Sequence, residues 1–118
     1  MTTLLFAYGT LMHGFPLHRV LAGRARLVST ATVCGRLLSL GAYPGLVEGE
    51  GRVRGELYEL PSAELLATVD REEGYNFERC LTEVTPAEGR SVRAWAYWYR
   101  GPRGRSVPIP AGDWRTRC

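Results

Sequence analysis

Residues Val92 to Tyr99, VRAWAYWY, constrain the fold more than any other stretch of the chain. Strand periodicity puts Val92, Ala94, Ala96 and Trp98 on one face and Trp95, Tyr97 and Tyr99, with Arg93, on the other. Both faces then carry apolar surface, which a sheet with one wet side cannot cover. A curved sheet or barrel can, and that is the expected architecture. With 118 residues, the chain fits one domain spanning 1–118, large enough to bury a single core without disulfide or metal staples.

The remaining elements follow from pattern and punctuation. Thr3 to Ala7 reads as a short apolar strand, and Phe15 to Leu21 as a short helix with Pro16 in its first turn. Between them, Tyr8-Gly9-Thr10-Leu11 forms a strand-to-helix corner that can aim several backbone N–H groups at one point. Ala25 to Leu40, rich in Val, Thr and Leu, reads as one strand or a bent pair, with Gly35 as its bulge. Gly41 to Gly45 turns the chain, and Arg52 to Leu60 alternates as a strand. Pro61 and Ser62 open a helix whose buried face is Leu65, Leu66 and Val69, and the pattern stops at Glu72-Glu73-Gly74. Phe77 to Thr85 and Ser91 to Arg100 form a hairpin around Pro86 to Gly89. The tail is irregular, with Trp114 as its anchor.

Charge and composition exclude several function classes. The 15 basic residues are all arginine, and against 12 acids they leave a net charge of +3, too little to require nucleic acid. Arg103, Arg105, Arg115 and Arg117 against Asp113 make a locally positive, solvated tail. Without lysine there is no Schiff base and no P-loop lysine. No apolar run reaches the roughly 20 residues of a membrane span. The N-terminus has no basic region or cleavage site and reads as a first strand, which sets a cytoplasmic expectation. Cys34, Cys80 and Cys118 are too scattered for a disulfide framework or metal knuckle. The first two are expected to be small buried hydrophobes and the third terminal. His13 and His18 have no second ligand pair, so no metal and no cofactor is expected, and both are placed on a loop and a helix surface.

The signatures of nucleophile elbows, P-loops, dinucleotide folds and zinc proteases are all missing. Carboxylates are left as the candidates for chemistry. Asp70, Glu72 and Glu73 sit at a helix end, where the spacing allows either three solvent-facing acids or one acid held beside aromatics with a raised pKa.

Taken in order, FAYGTL with the later Gly14, AYPGLV, VRGELYEL, VDREEGYNFER, the aromatic strand and IPAGDW resemble the γ-glutamylcyclotransferase-like superfamily over nearly the whole chain. Val69 stands where the family's acidic motif usually has leucine. The resemblance implies an α+β fold: a single small domain built on a curved mixed β-barrel with a few short helices. It implies Glu73 as the catalytic acid–base residue, Tyr8, Gly9, Thr10 and Leu11 as the substrate loop, and Tyr43 and Pro44 as lining of the same cavity. The family's tyrosine two residues before an arginine is here Phe77 before Arg79, so one hydroxyl is lost and Phe77 is left to pack.

The reaction implied is intramolecular: the α-amine of a γ-glutamyl amide attacks its own γ-carbonyl, forming 5-oxoproline and releasing an amine or amino acid. No nucleophilic side chain, metal or cofactor is then needed, and the only partner implied is a small-molecule γ-glutamyl substrate. Glu73 must take a proton from an ammonium. With reference values of about 4.3 and about 8, that transfer is uphill by roughly 4 units, or about 5 kcal/mol. The resemblance therefore carries a condition: aromatics such as Tyr43 and Tyr75 must close over Glu73 and raise its pKa. Two other readings stay open at this point: a catalytically silent binding protein on the same fold, and a basic barrel stacking nucleic acid on Trp95, Tyr97 and Tyr99. Oligomeric state, leaving group and the charge held by the Tyr8 to Leu11 amides are undetermined.

Overall fold

The structure, a computed structural model, describes residues 3–116. Arg117 and Cys118 of the predicted tail lie outside the described residues. Strand β1 (Thr3–Ala7) pairs antiparallel with β3 (Pro44–Leu60), and β3 runs antiparallel along β2 (Arg26–Ser39). The hairpin of β4 (Phe77–Pro86) and β5 (Val92–Tyr99) joins β2 through Ala31 and Thr32, and β1 through the parallel bridge Leu5–Trp95. The pairing cycle β2-β3-β1-β5-β4-β2 therefore closes a five-stranded mixed barrel. Closure resolves the two-sided β5: Ala94 and Ala96 are buried on one face, and Tyr97 and Tyr99 on the other.

Helix α1 (Ala63–Glu73) starts where Ser62 caps it, its hydroxyl accepting from the Leu65 N–H at 3.4 Å. Leu65, Leu66 and Val69 are buried as the spacing predicts. Each such side chain contributes about 1.5–3 kcal/mol of transfer free energy, which fixes the helix on the barrel. The helix stops at Gly74, with φ +83°, a conformation that costs any other residue strain and that leaves Glu73 as the last helical residue.

Three expectations change. Phe15 to Leu21 yields a 3-10 helix, Pro16–Val20, because Phe15 before proline is held extended at φ −113°, ψ 158° and only one short turn follows. The turn expected over Gly41 to Gly45 is shorter: Leu40 N–H bonds the Tyr43 carbonyl at 2.9 Å, and β3 already begins at Pro44. Gly49 and Gly51 hide the strand character of this stretch, which comes from long-range pairing with β2 rather than local propensity. The predicted bulge at Gly35 is present as a register shift between Cys34 and Arg36. Cys34 is exposed and Cys80 half-buried, not core, since Cys34 alternates with the inward Val33.

The tail adds a two-residue strand, β6 (Val107–Pro108), against Leu38 and Ser39. Trp114 is its buried anchor, at 1% exposure. No helix is long and apolar enough to cross a membrane among the described residues.

Candidate active site

At the end of β1 the side chain of Tyr8 points into the barrel. Its hydroxyl donates to the Tyr97 carbonyl at 2.6 Å and accepts the Leu46 N–H at 3.1 Å, so one phenol ties three strands together. Burial, then the charge of Glu73, pushes its pKa up, and it remains a neutral donor. The chain then turns: Met12 N–H reaches the Gly9 carbonyl at 3.0 Å, and Leu17 N–H the Thr10 carbonyl at 2.9 Å. His18 Nδ1–H donates to the Leu11 carbonyl at 2.9 Å, and the buried Glu56 carboxylate accepts the His13 N–H at 2.9 Å and the Tyr58 hydroxyl at 2.8 Å. Among the described residues, no protein acceptor takes the N–H of Gly9, Thr10 or Leu11. The corner thus keeps its carbonyls occupied and its amide donors available.

Gly9 is required by a neighbour. A Cβ there would lie 2.7 and 2.9 Å from Cγ and Cδ of Pro44, so the loop and the start of β3 are in contact only because position 9 has no side chain.

Glu73 is half-buried at the C-terminal end of α1. Desolvation first, and the charge of Asp70 second, push its carboxyl up to about 7. The helix terminus adds its own negative end. Among the described residues no side chain donates a hydrogen bond to Glu73. The two phenols whose pKa values its charge raises have their protons committed elsewhere, Tyr8 to the Tyr97 carbonyl and Tyr97 to Asp70 at 2.5 Å. Asp70 is in turn held by Arg79 Nε at 2.8 Å, and Arg79 lies 4.3 Å from the centroid of the Trp95 ring. Asp70 is paired and its neighbour Glu73 is not. Glu72, at the exposed edge of the same site, pairs with Arg19 at 2.9 Å.

These groups border a cavity of about 360 Å³, within the range of small-ligand pockets. All seven residues expected at the site line it: Tyr8, Gly9, Thr10, Leu11, Tyr43, Pro44 and Glu73. Sequence reasoning missed Tyr97, Phe6, Ala7, Pro16, Leu17 and Ala42, which join them. Tyr97 had a signal in the two-sided β5; the others were visible only as apolar residues flanking the corner. Phe77 packs, as expected, with ring centroids 5.4 Å from Tyr99 and 5.9 Å from Tyr43, and it also lines the cavity. Tyr75 does not close over Glu73: it is 96% exposed, because Gly74 swings the chain away. The aromatics that share the cavity with Glu73 are Phe6, Tyr8, Tyr43, Phe77 and Tyr97. Tyr97 and Tyr99 are buried, so bases cannot stack on them. Among the described residues, no cluster of His, Cys, Asp and Glu could hold a metal ion. Arg103 and Arg105 are exposed and do not line the cavity, and Arg115 is paired to Asp113 at 2.9 Å.

Comparison with known proteins gives a consistent picture. A family model described as "Gamma-glutamyl cyclotransferase, AIG2-like" matches residues 5–116. The "Gamma-glutamylcyclotransferase family protein YtfP" of Escherichia coli K12 is 34% identical over 122 residues, covering 96% of either chain. The "Gamma-L-glutamyl-butirosin B gamma-glutamyl cyclotransferase" of Niallia circulans is 32% identical, covering 94% of this chain and 74% of that one. Among solved structures, the uncharacterized protein PH0828 of Pyrococcus horikoshii superposes with a TM-score of 0.78 at 27% identity, covering 95% of this chain and 89% of that one.

Proposed function

The chain belongs to the γ-glutamylcyclotransferase, AIG2-like family, and from that premise we propose that it is a γ-glutamylcyclotransferase releasing 5-oxoproline, with Glu73 as its acid–base residue. One observation carries this reading: an unpartnered, half-buried carboxyl with its pKa raised to about 7 shares a cavity with Gly9, Thr10 and Leu11, whose backbone N–H groups have no acceptor among the described residues. The reaction needs both. Folded in the cavity, a γ-glutamyl amide brings its α-nitrogen against its own γ-carbonyl carbon, an intramolecular arrangement for which effective molarities of about 10⁵–10⁸ M are attainable.

Glu73 accepts a proton from the α-ammonium, and the freed amine attacks. The carbonyl π electrons move to oxygen and the tetrahedral centre collapses: the C–N bond to the leaving group breaks as Glu73-H protonates that nitrogen, and the Glu73 carboxylate then takes the second proton of the ring nitrogen and passes it to the released amine, which departs as an ammonium. The ring closes as 5-oxoproline, and Glu73 ends as it began. With Glu73 at about 7 and an α-amine near 8, the first transfer is uphill by about 1 unit, or about 1.4 kcal/mol, in place of about 5 for an ordinary glutamate. The N–H groups of Gly9, Thr10 and Leu11 supply donors for the substrate's anionic oxygen, and the apolar floor of Phe6 and Ala7 keeps water from competing.

Incubation of the purified protein with γ-glutamyl amides, with 5-oxoproline followed by chromatography, tests the proposal. Product is expected from the wild type and none above background from Glu73→Gln. Equal product from the two proteins would sink the assignment of Glu73, and no product from either would sink the activity.

A further inference from the structure

Glu56 and Asp113 are the buried charged side chains among the described residues. Asp113 is answered by Arg115. Glu56, at 8% exposure, makes no salt bridge among the described residues and does not line the cavity. Burying a carboxylate is costly unless hydrogen bonds compensate it, so the bonds it makes indicate its task. Its Oε1 accepts the Tyr58 hydroxyl at 2.8 Å and, at 2.9 Å, the N–H of His13, two residues beyond the Tyr8 to Leu11 corner.

Strand register brings it there. Glu56 is the cross-strand partner of Ala7, the last residue of β1 before the corner. β3 comes this close because residue 55 is glycine: a Cβ at that position would collide with the Ala7 carbonyl oxygen. Pairing of β1 with β3 thus fixes the near end of the corner, and the Glu56 carboxylate holds the far end at His13. His18 adds a second hold, since its Nδ1–H donates to the Leu11 carbonyl at 2.9 Å. Its ring packs on those of Tyr58 and His13, with centroids 5.7 and 5.3 Å away. The Gly9 and Thr10 carbonyls are taken by the N–H groups of Met12 and Leu17. All three corner carbonyls are therefore engaged, which leaves the N–H groups of the same residues for a ligand.

We propose that Glu56 is a positioning residue: through the His13 N–H, and with His18 on the Leu11 carbonyl, it fixes the corner so that the N–H groups of Gly9, Thr10 and Leu11 meet the substrate's anionic oxygen. This rests on the cyclotransferase reading for the reaction affected, but not for the loop that is held. A corner released at one end is free to shift, and a misplacement of roughly 1 Å costs about 10²-fold in rate.

Three substitutions separate reach from charge. Glu56→Ala removes the acceptor, Glu56→Asp keeps the charge but withdraws it by one methylene, and Glu56→Gln keeps an oxygen that can accept both bonds. The rate read is 5-oxoproline release from γ-glutamylalanine and γ-glutamyl-n-butylamide. Per folded molecule, kcat/KM is expected to fall about 10²-fold in Glu56→Ala and about tenfold in Glu56→Asp, and to stay close to wild type in Glu56→Gln. Wild-type kcat/KM in Glu56→Asp, or Glu56→Gln as impaired as Glu56→Asp, would overturn the proposal, and neither comparison needs the alanine variant to fold. Amide exchange followed by NMR reads the corner itself. The Met12 and Leu17 N–H groups are expected to exchange at least about tenfold faster in Glu56→Asp, with the β4–β5 hairpin unchanged. That result without turnover by the wild type supports the hold on the corner and removes the activity. Unchanged exchange at the corner, or equal acceleration in the hairpin, removes the proposal whatever the turnover.

Discussion

Two regions of the barrel each hold a carboxyl away from water, and they treat it in opposite ways. In the C-terminal segment, Asp113 is 9% exposed; burial would raise its pKa, but the Arg115 guanidinium at 2.9 Å and the Arg115 backbone N–H at 3.0 Å outweigh it and hold the group below its usual value. At the end of α1, Glu73 is also withdrawn from solvent but meets no donor and faces Asp70, and it rises to about 7. Burial is common to both. What differs is whether the fold supplies a counter-charge, and that decides between a structural anion that holds the tail and an acid free to exchange protons near neutrality.

The largest expected break in this contrast is Glu73→Gln. Removing the proton carrier but keeping the shape is expected to lower 5-oxoproline formation about 10²–10⁴-fold, with the far-ultraviolet circular dichroism spectrum unchanged.

Stability against pH sharpens the contrast next, since the two groups act with opposite sign. Because the Glu73 pKa is raised, the folded state holds a proton the unfolded chain has lost. Its contribution, on the order of 2–3 kcal/mol, is complete below the unfolded value of about 4.5 and is lost as pH rises through about 7. Asp113, held low, stabilises above its unfolded value and loses that contribution as pH falls through its folded one. Urea titrations from pH 4 to 8 are expected to show Glu73→Gln flattening the fall between pH 4.5 and 7, an outcome Asp113→Asn does not share.

Asp113→Asn itself is expected to cost about 1–2 kcal/mol at pH 7, by weakening the Arg115 contacts beside the buried Trp114. Denaturant midpoints at pH 7 check this, and turnover is expected to be near wild type. Gly9→Ala is expected to raise KM about tenfold through displacement of Pro44 rather than by touching the ligand, with a loss of about 1–3 kcal/mol of stability in denaturant titrations. The smallest effect expected is from Asp70→Asn. Loss of the neighbouring charge is expected to move the acid limb of the kcat/KM profile to lower pH, and a limb that stays near 7 would leave desolvation as the whole cause.

The site was legible in the sequence to an uneven degree. Glu73 and the Tyr8 to Leu11 corner could be named because each lies in a short contiguous motif, and Tyr43 and Pro44 followed from a third. Tyr97 and the cavity floor could not be assigned, since nothing local tells an apolar strand residue that packs from one that lines a pocket. Tyr75, which adjacency favours as a cover for Glu73, is turned away by the +83° φ of Gly74. The strand at Pro44–Gly51 was hidden because its glycines disfavour a strand locally and β2 overrides them.

By itself, the sequence determined the barrel and the helix. Two-sided apolar character in β5, the Ser62 cap and the Leu65, Leu66 and Val69 stripe are local patterns whose burial has few solutions. Only the tertiary structure decided why three acids close together on one helix differ in their surroundings. Asp70, Glu72 and Glu73 have nearly the same chemistry and the same helix, and they part because Arg79 from β4 reaches the first and Arg19 from the 3-10 turn reaches the second. No described residue donates to the third. A pKa is set by what surrounds a group in space, and those surroundings come here from strands and turns distant along the chain.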